Sequence, residues 1–332
     1  MNAIVATDVG YGNTKTAFSM GTDIGTHMFP SLAPPAPPSL IGSHSGGMLR
    51  TGDVVRVTVD GGKYLVGPDV PISGGNGDAG RTLAEDYCTT ANYAALLAGA
   101  FHFTKITETD LLVLGLPVQT LGKYADTLKE RFSGEHDFGW GSILIKSVMC
   151  VPQPLGTLVH YVQQRGKDFD SRAPHLIIDV GYFTTDWVVT RGFVIDEARS
   201  GGVPGGASHV YGAIADQIAE AEGEPFTEIE RVDLAIREST PLWFYNKQIE
   251  LDDYLEVARA KCHTAIKTLQ SKVGRPQDLS TIVLTGGGAA LYAPAIREAF
   301  PRSRIHLMDT PCFANARGFL SLGAAHQARK SK

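Results

Sequence analysis

The sequence predicts an α/β protein made of two similar halves. The stretch Asp-Val-Gly-Tyr occurs at Asp8–Tyr11 and again at Asp179–Tyr182, 171 residues apart in a chain of 332. Each copy follows a short apolar run, and each is followed at the same offset by a threonine and a second apolar run. Strand patterns and helix patterns then alternate along the chain, which is typical of the α/β class. A repeat at half length indicates two related domains.

Length and composition agree with a two-domain globular protein. A chain of 332 residues is long for a single core. Its net charge of −5 indicates no broad nucleic-acid-binding surface, and we expect no direct nucleic-acid contact. The four cysteines form no C-x-x-C pair, which argues against a zinc site and suits the cytoplasm. With neither an N-terminal signal nor an apolar run near the ~20 residues that span a bilayer, we expect a cytoplasmic protein without membrane contact.

The first elements are predicted around the first Asp-x-Gly turn. Residues Asn2 to Met20 have the pattern of a β-hairpin. The region from Gly21 to Cys88 resembles a small, loop-rich insertion. Within it, the five prolines of Pro30–Pro38 exclude a regular helix or a central strand. A second hairpin is predicted around Gly61-Gly62, and Ser73–Gly80 is predicted to be a loop.

The rest of the first half alternates helices and strands. Thr89–Phe103 is predicted to be a buried helix and Leu111–Val118 a strand. The apolar positions from Leu121 to Phe132 follow the spacing of an amphipathic helix. Ile143–Val151 is predicted to be one strand, and a second amphipathic helix begins at Leu155.

The second half begins with the repeated hairpin. In chain order the sequence predicts a hairpin, a strand, a glycine turn, three helices, and then strand, helix, strand, helix: His175–Thr190, Gly192–Glu197, Gly201–Gly206, Ala207–Glu222, Glu228–Arg237, Leu251–Val273, Thr281–Leu284, Ala290–Phe300, Arg304–Met308 and Phe313–Lys330.

The first Asp-x-Gly turn, Asp8 to Lys15 (loop 1), has residue types that suit phosphate and a metal ion. Its two glycines allow a tight bend whose backbone amides can face an anion. Thr14 can add a hydroxyl, and Lys15 a cation that reaches phosphate oxygens. Asp8 carries the wrong charge for phosphate unless a cation such as Mg²⁺ lies between them. Taken alone, the stretch also fits a hairpin turn with solvated charges.

The second turn, Asp179 to Asp186 (loop 2), makes that alternative weaker. Asp179 follows Leu176-Ile177-Ile178 and therefore lies at the end of a buried strand. An ionised carboxylate there requires a partner. A metal ion shared with Asp8 would satisfy both carboxylates.

A third glycine turn joins a strand to a helix. Thr285 to Tyr292 (loop 3) contains Gly286-Gly287-Gly288, where the backbone can lie against a planar ligand. The pairs Gly201-Gly202 and Gly205-Gly206 give a weaker signal, since simple turns use the same residues.

Together these features resemble the actin, heat-shock chaperone and sugar-kinase ATPase superfamily. In that resemblance loops 1 and 2 are phosphate loops and loop 3 faces adenosine. The helices Leu155–Gln164 and Ala316–Ala325 would be the two connecting helices. The resemblance implies a two-domain actin-like (ribonuclease H-like) ATPase fold with a nucleotide cleft between the domains, ATP and Mg²⁺ as ligands, and GTP as an open alternative to ATP.

Within the superfamily the chain resembles the ParM/StbA plasmid-segregation group. The stretch Asp8–Lys15 and the segment Phe29-Pro30-Ser31 are similar to the PRTRC-system protein D branch. The group implies a protein that forms filaments with copies of itself and is coupled to DNA by an adaptor protein. The predicted nucleotide-binding residues are Gly10, Tyr11, Gly12, Asn13, Thr14, Lys15, Gly181, Tyr182, Phe183, Thr184, Thr185, Asp186, Gly205, Gly206, Gly286, Gly287 and Gly288, and the predicted metal-binding residues are Asp8 and Asp179.

Gln153 indicates which reaction to expect. It lies between two prolines, just before the first connecting helix, where the actin-like group has its water-positioning residue. An amide can orient a water molecule but cannot act as a general base. Gln153 is therefore predicted to order the attacking water, and hydrolysis is favoured over transfer to a metabolite. Asp179, which would position Mg²⁺, is the second predicted catalytic residue. A turn residue held by its prolines is the alternative role for Gln153.

The sequence thus predicts an ATPase of two domains. Residues 1–154 with 312–332 are assigned to domain I and residues 155–311 to domain II, with smaller subdomains over about 21–88 and 201–274. A small-molecule kinase and a nucleotide-dependent regulator without filaments remain alternatives on the same fold.

Overall fold

The structure, a computed structural model, describes residues 3–21, 23–37, 52–70 and 84–330. The chain divides into two compact units. Unit 1 contains Met1–Gln164 and Phe313–Lys332, and unit 2 contains Arg165–Cys312. Unit 1 therefore ends after Gln164, at the end of the predicted helix Leu155–Gln164, which the sequence assigns to domain II. The predicted domain boundaries stay a prediction.

The described strands are, in chain order, β1 (Ala3–Val9), β2 (Asn13–Met20), β3 (Asp23–Pro30), β4 (Val55–Val59), β5 (Gly62–Val66), β6 (Glu108–Thr109), β7 (Leu111–Leu116), β8 (Gly134–Asp137), β9 (Ser142–Ile145), β10 (Val148–Pro152), β11 (Pro174–Val180), β12 (Thr184–Arg191), β13 (Val194–Pro204), β14 (Leu242–Phe244), β15 (Lys247–Ile249), β16 (Thr281–Thr285) and β17 (Ile305–Leu307).

The α-helices are α1 (Ala91–Thr104), α2 (Val118–Phe132), α3 (Gln153–Arg165), α4 (Ala207–Glu222), α5 (Ile229–Glu238), α6 (Asp252–Ala258), α7 (Cys262–Val273), α8 (Ala289–Ala299) and α9 (Ala314–Lys330). Among these described helices, none combines the length and the apolar character that crossing a membrane requires.

Unit 1 is built on a five-stranded sheet with the order β10-β7-β1-β2-β3. β1, β2 and β3 pair antiparallel, while β7 and β10 run parallel to β1. β1 is buried over Ile4–Val9, which explains its nearly continuous apolar run. Helices α1 and α9 both pack against this sheet.

Unit 2 repeats this topology. Its sheet has the order β13-β12-β11-β16-β17, with an antiparallel meander from β11 to β13 and two parallel strands, β16 and β17. The strand that carries Asp8 and the strand that carries Asp179 are therefore the middle strands of equivalent sheets. This arrangement confirms the two similar halves predicted from the repeat.

The connecting helices α3 and α9 cross closely inside unit 1. Gly318 lies against the backbone of Gly156, so that a Cβ atom added at Gly318 would overlap its carbonyl group. At the same crossing the Thr157 hydroxyl donates to Asn315 Oδ1 over 2.7 Å. Two glycines and one buried polar pair thus fix how these helices approach each other.

Most predicted elements are confirmed, and four predictions require correction. The single strand expected over Ile143–Val151 is two strands in different sheets, because the polar pair Lys146-Ser147 bonds to Asp110 between them. The helix expected over Leu251–Val273 is broken by a 3-10 turn at Arg259–Lys261, where its packing partner changes from α4 to β13.

The other two corrections concern strands. The turn expected over Gly201–Gly206 begins only at Gly205, because β13 continues to Pro204. Strands β3, β6 and β8 and the β14–β15 hairpin have no counterpart among the predicted strands. The loop predicted over Ser73–Gly80 lies outside the described residues.

Candidate functional site

In unit 1 the β1–β2 hairpin places Asp8 and Lys15 opposite each other. The two residues are direct partners in the antiparallel register. Lys15 Nζ lies 3.3 Å from Asp8 Oδ2, and the Asp8 side chain is only 5% exposed. The Lys15 ammonium and the Asp8 carboxylate therefore form a pair at the buried end of the hairpin. This pair lies beside the turn of loop 1, to which both residues belong.

Gln153, the first residue of α3, binds the other oxygen of the same carboxylate. Its Nε2 atom donates to Asp8 Oδ1 over 2.9 Å. Because a carboxylate only accepts hydrogen bonds, the amide must turn its nitrogen toward Asp8. The carbonyl oxygen of Gln153 is left as the acceptor, and an acceptor at this position can orient a water molecule.

A serine that the sequence analysis did not assign to the site supports loop 1. The Ser31 hydroxyl donates to the carbonyl oxygen of Gly10 over 2.6 Å, and its N–H donates to Gly12 over 2.9 Å. Thr14, predicted to contact phosphate, is fully buried and has its hydroxyl 3.0 Å from that of Ser31. The Thr14 hydroxyl therefore holds the turn. The signal for Ser31 was its place in Phe29-Pro30-Ser31.

The tip of loop 1 contacts the segment before α1. The Tyr11 hydroxyl donates to the carbonyl oxygen of Ala84 over 2.7 Å, and its ring stacks on Tyr87 with centroids 4.9 Å apart. A Cβ atom at Gly10 would lie 3.2 Å from Lys15 Nζ. Glycine at position 10 thus leaves the lysine room beside the turn.

In unit 2 the β11–β12 hairpin pairs Asp179 with Asp186. Both residues are buried, at 9% and 3% exposure. The Thr184 hydroxyl donates to Asp186 Oδ2 over 2.6 Å, and Thr185 donates its hydroxyl to Gly205 over 2.7 Å. Loop 2 therefore carries two close carboxylates at the position where loop 1 has a carboxylate and a lysine.

The start of α4 clamps loop 2. The N–H groups of Gly205 and Gly206 both donate to the carbonyl oxygen of Phe183 over 3.0 Å, and that of Ala207 donates to Gly181. A Cβ atom at Gly206 would lie 2.6 Å from the carbonyl oxygens of Gly181 and Tyr182. The predicted nucleotide-binding role of Gly205 and Gly206 stays a prediction. In this structure they hold loop 2 in place.

Tyr292 completes the clamp from inside the unit, whereas Tyr182 of loop 2 does not contribute its side chain. Tyr292 donates its hydroxyl to the carbonyl oxygens of Gly205 and Gly206 over 3.0 Å. Burial raises the pKa of this hydroxyl far above its usual value, so it remains a donor. The side chain of Tyr182 turns away from the loop toward the core, where its hydroxyl lies 3.3 Å from Glu230 Oε1. Any contact of Tyr182 with a nucleotide would therefore use its backbone.

Loop 3 packs beneath the end of β11. Gly286 has a φ of +90°, and a Cβ atom there would overlap Asp179 Oδ1 and the carbonyl oxygen of Val180. Gly288 donates its N–H to Val180 over 2.9 Å. Gly287 is exposed, with nothing within 4 Å of where its Cβ atom would lie. Of the three predicted adenosine contacts, Gly287 is the one with open space.

The described part of the chain contains no group of three or more His, Cys, Asp or Glu residues that could hold a metal ion alone. Each hairpin instead offers a buried aspartate at the end of its first strand, Asp8 in unit 1 and Asp179 in unit 2. A buried carboxylate of this kind fits Mg²⁺, which proteins bind through one or two carboxylates together with substrate phosphates and water.

Comparison with known proteins agrees with this architecture. The family model described as the N-terminal domain of actin-like proteins matches residues 6–156. The model described as the C-terminal part of the archaeal, MreB-like actin homologue matches residues 177–298. Among proteins with curated descriptions, none matches the chain.

Solved structures of the same fold cover nearly the whole chain. A 15-stranded ParM filament from Clostridium botulinum is 21% identical with a TM-score of 0.77, covering 98% of this chain and 100% of its own. The archaeal actin homologue Ta0583 in complex with ADP is 20% identical with a TM-score of 0.73, covering 97% and 99%. Bacillus thuringiensis ParM with ATP is 14% identical with a TM-score of 0.64, covering 98% and 99%.

The family models and the structures confirm the two-domain actin-like fold that the sequence predicts. The chain belongs to the actin-like proteins.

Proposed function

We propose that this protein is an ATPase that binds Mg–ATP, hydrolyses it and forms nucleotide-dependent filaments. The observation that carries the proposal is the contact of Asp8 with both Lys15 and Gln153 at the turn of loop 1. A cation that can reach phosphate, a carboxylate that suits Mg²⁺ and an amide that can orient water are groups that fit phosphate hydrolysis. The relatives that hold ADP and ATP support the choice of nucleotide.

Loops 1 and 2 are proposed to hold the phosphates. Lys15 supplies a cation that a phosphate oxygen can share with Asp8, and the glycines of loop 1 allow the backbone to approach the anion. Loop 2 is held rigidly by its clamp, so that a ligand need not order it. Asp8 and Asp179 would hold Mg²⁺, which when bound neutralises phosphate charge. Gly287 of loop 3 is the proposed contact for the adenosine, or for guanosine if GTP is used.

Gln153 is proposed to orient the attacking water. Its nitrogen is fixed on Asp8, which leaves its oxygen to accept a hydrogen bond from water. An amide has no useful basicity and therefore orients the water without taking its proton. This favours slow hydrolysis over transfer to a metabolite hydroxyl, for which a carboxylate base is the usual requirement. Asp179 is proposed to assist from loop 2 by holding the metal ion.

The biological role is proposed to be plasmid or DNA segregation in the cytoplasm. Support comes from the ParM filaments among the structural relatives and from the sequence resemblance to the ParM/StbA group and the PRTRC-system protein D branch. The partners would be further copies of this chain and a DNA-binding adaptor protein. The γ-phosphate would favour the polymer-competent state, because a ligand shifts a conformational equilibrium only through its different affinity for the two states.

High-speed sedimentation combined with phosphate release tests the proposal. With ATP and Mg²⁺ we expect a pellet that grows with protein concentration and a steady release of phosphate without an added acceptor. With ADP or without nucleotide, the protein should stay in the supernatant. Phosphate release that requires a metabolite would indicate a small-molecule kinase, and ATP binding without pellet or turnover would indicate a regulator.

A further inference from the structure

A pocket in unit 1 lies beside loop 1 and reaches Gln153. We call it the Tyr93 pocket. Its empty space, including the part open to solvent, is about 330 Å³. The residues that line it are Val9, Gly10, Tyr11, Glu85, Tyr87, Cys88, Tyr93, Gly115, Leu116, Pro117, Thr120 and Gln153. The pocket is thus formed by loop 1, the segment before α1 and the first turn of that helix, the end of β7 and the starts of α2 and α3.

Tyr93 brings a buried hydroxyl to this pocket. The residue is 1% exposed, and its hydroxyl has no hydrogen-bond partner among the described residues. Burial, together with the nearby Cys150, Cys88, Tyr87 and Asp8 groups, raises the pKa of the hydroxyl well above its usual value. The group is therefore an O–H donor, and such a buried donor is expected to have an acceptor.

Gln153 offers an acceptor at the same pocket. Its nitrogen is engaged by Asp8, and its oxygen accepts no hydrogen bond from the residues that the structure describes. A carbonyl oxygen has two lone pairs, so it can accept from a pocket water and from an attacking water together. Thr120 adds a third polar group to the lining. A buried water typically makes about three hydrogen bonds, and the lining offers three polar groups for them.

We infer that the Tyr93 pocket holds ordered water that links the Tyr93 hydroxyl to the Gln153 carbonyl oxygen. Tyr93 donates to the water and the water donates to Gln153. This link, with the bond from Gln153 to Asp8, fixes the amide at both ends. Tyr93 is therefore a positioning residue, which acts on hydrolysis only through Gln153. The effect of Tyr93 on catalysis rests on the proposed hydrolysis of ATP. The water site itself does not depend on that proposed function.

The test compares the wild-type protein with Tyr93→Phe, which removes only the hydroxyl. Tyr161→Phe is the control, because Tyr161 is buried in the same unit on α3 but does not line the pocket. Crystal structures of wild type and Tyr93→Phe should show the bridging water in the wild type and lose it in the variant. With ATP, Tyr93→Phe should lower kcat for phosphate release about three- to tenfold and leave the Kd for ATP unchanged. Tyr161→Phe should change neither.

Three results would overturn the inference. The first is a pocket without water between Tyr93 and Gln153. The second is a higher Tm for Tyr93→Phe than for wild type, which would indicate a hydroxyl buried without a partner. The third is an unchanged kcat in Tyr93→Phe although the water is lost. If the wild-type protein releases no phosphate, the proposed function fails. In that case the Tyr93→Phe crystal structure decides the inference. A Gln153 side chain that leaves Asp8 supports it, and a Gln153 side chain that stays on Asp8 overturns it.

Discussion

Replacing Gly286 by alanine tests how loop 3 supports Asp179. A Cβ atom at this position would overlap Asp179 Oδ1 and the Val180 carbonyl oxygen and would lie 2.7 Å from the Val180 carbonyl carbon. The side chain of Asp179 can move, but the backbone of Val180 is held in β11. The φ of +90° adds a conformation that alanine rarely adopts.

These two effects set the expected magnitude. Backbone strain of this kind costs about 1–3 kcal/mol, and overpacking costs a similar amount. Gly286→Ala should therefore destabilise unit 2 by about 2–6 kcal/mol. Gly287→Ala is the matched control, because nothing lies within 4 Å of its Cβ position. Its effect should stay within about 0.5 kcal/mol.

Urea denaturation followed by tryptophan fluorescence measures the difference. Trp187 lies on β12 and is 1% exposed, so in a background with Trp140 and Trp243 replaced by phenylalanine its emission reports unfolding of the sheet that carries Asp179. The transition reported by Trp187 should shift to lower urea in Gly286→Ala and stay in place in Gly287→Ala. Equal midpoints for the two variants would refute the packing of loop 3 beneath β11.

Three further predictions concern the first hairpin and its surroundings. Gln153→Ala should lower kcat for ATP hydrolysis about 10- to 100-fold and leave the Kd for ATP unchanged, because it removes a hydrogen bond to a charged group. Gln164→Ala, at an exposed position of the same helix, should leave kcat unchanged. Equal kcat values for the two variants would contradict the role of Gln153. Ser31→Ala removes the bonds that hold Gly10 and Thr14 and should destabilise the protein by about 1–3 kcal/mol in urea titrations, against little change for the exposed Ser133→Ala. Burial lowers the pKa of His27 below 6.5 in the folded protein, so protonation of this ring opposes folding. The free energy of unfolding therefore has its full value above pH 6.5 and decreases as the pH falls from 6.5 toward the pKa of the folded state. His27→Phe keeps the stacking on Phe103 and should lose less stability than wild type between pH 7.5 and 5.5, and an equal loss would refute this role.

The sequence was sufficient where local chemistry decides the structure. Asp8 and Asp179 each follow an apolar run and precede a glycine turn, and such a hairpin needs no distant contact to be recognised. Because the same pattern occurs at half the chain length, it also predicted the equivalent sheets. Gln153 was assigned through its place before the connecting helix; the structure places its amide nitrogen on Asp8, and its role in hydrolysis stays a prediction.

Features that depend on distant partners could not be predicted. Gly201 looks like a turn residue, but it lies in β13 opposite Trp187, where a Cβ atom added at Gly201 would lie 3.2 Å from the Trp187 ring. Ser31 supports loop 1 from 21 residues away. The side chain of Tyr182 packs into the core of unit 2, where its hydroxyl contacts Glu230. Its counterpart in the repeat, Tyr11, instead donates its hydroxyl to the carbonyl oxygen of Ala84. In each case the local sequence allows several conformations, and contacts with residues distant in the chain determine which of them is adopted.

The central proposal is that Asp8 and Asp179 both support the binding of Mg–ATP. Isothermal titration of ATP with and without Mg²⁺ tests it in the wild type and in the isosteric variants Asp8→Asn and Asp179→Asn. We predict one ATP per chain, bound more tightly with Mg²⁺ by the wild type, and loss of most of that Mg²⁺ enhancement in each variant. An enhancement that survives in either variant, or two ATP molecules per chain, would contradict the account.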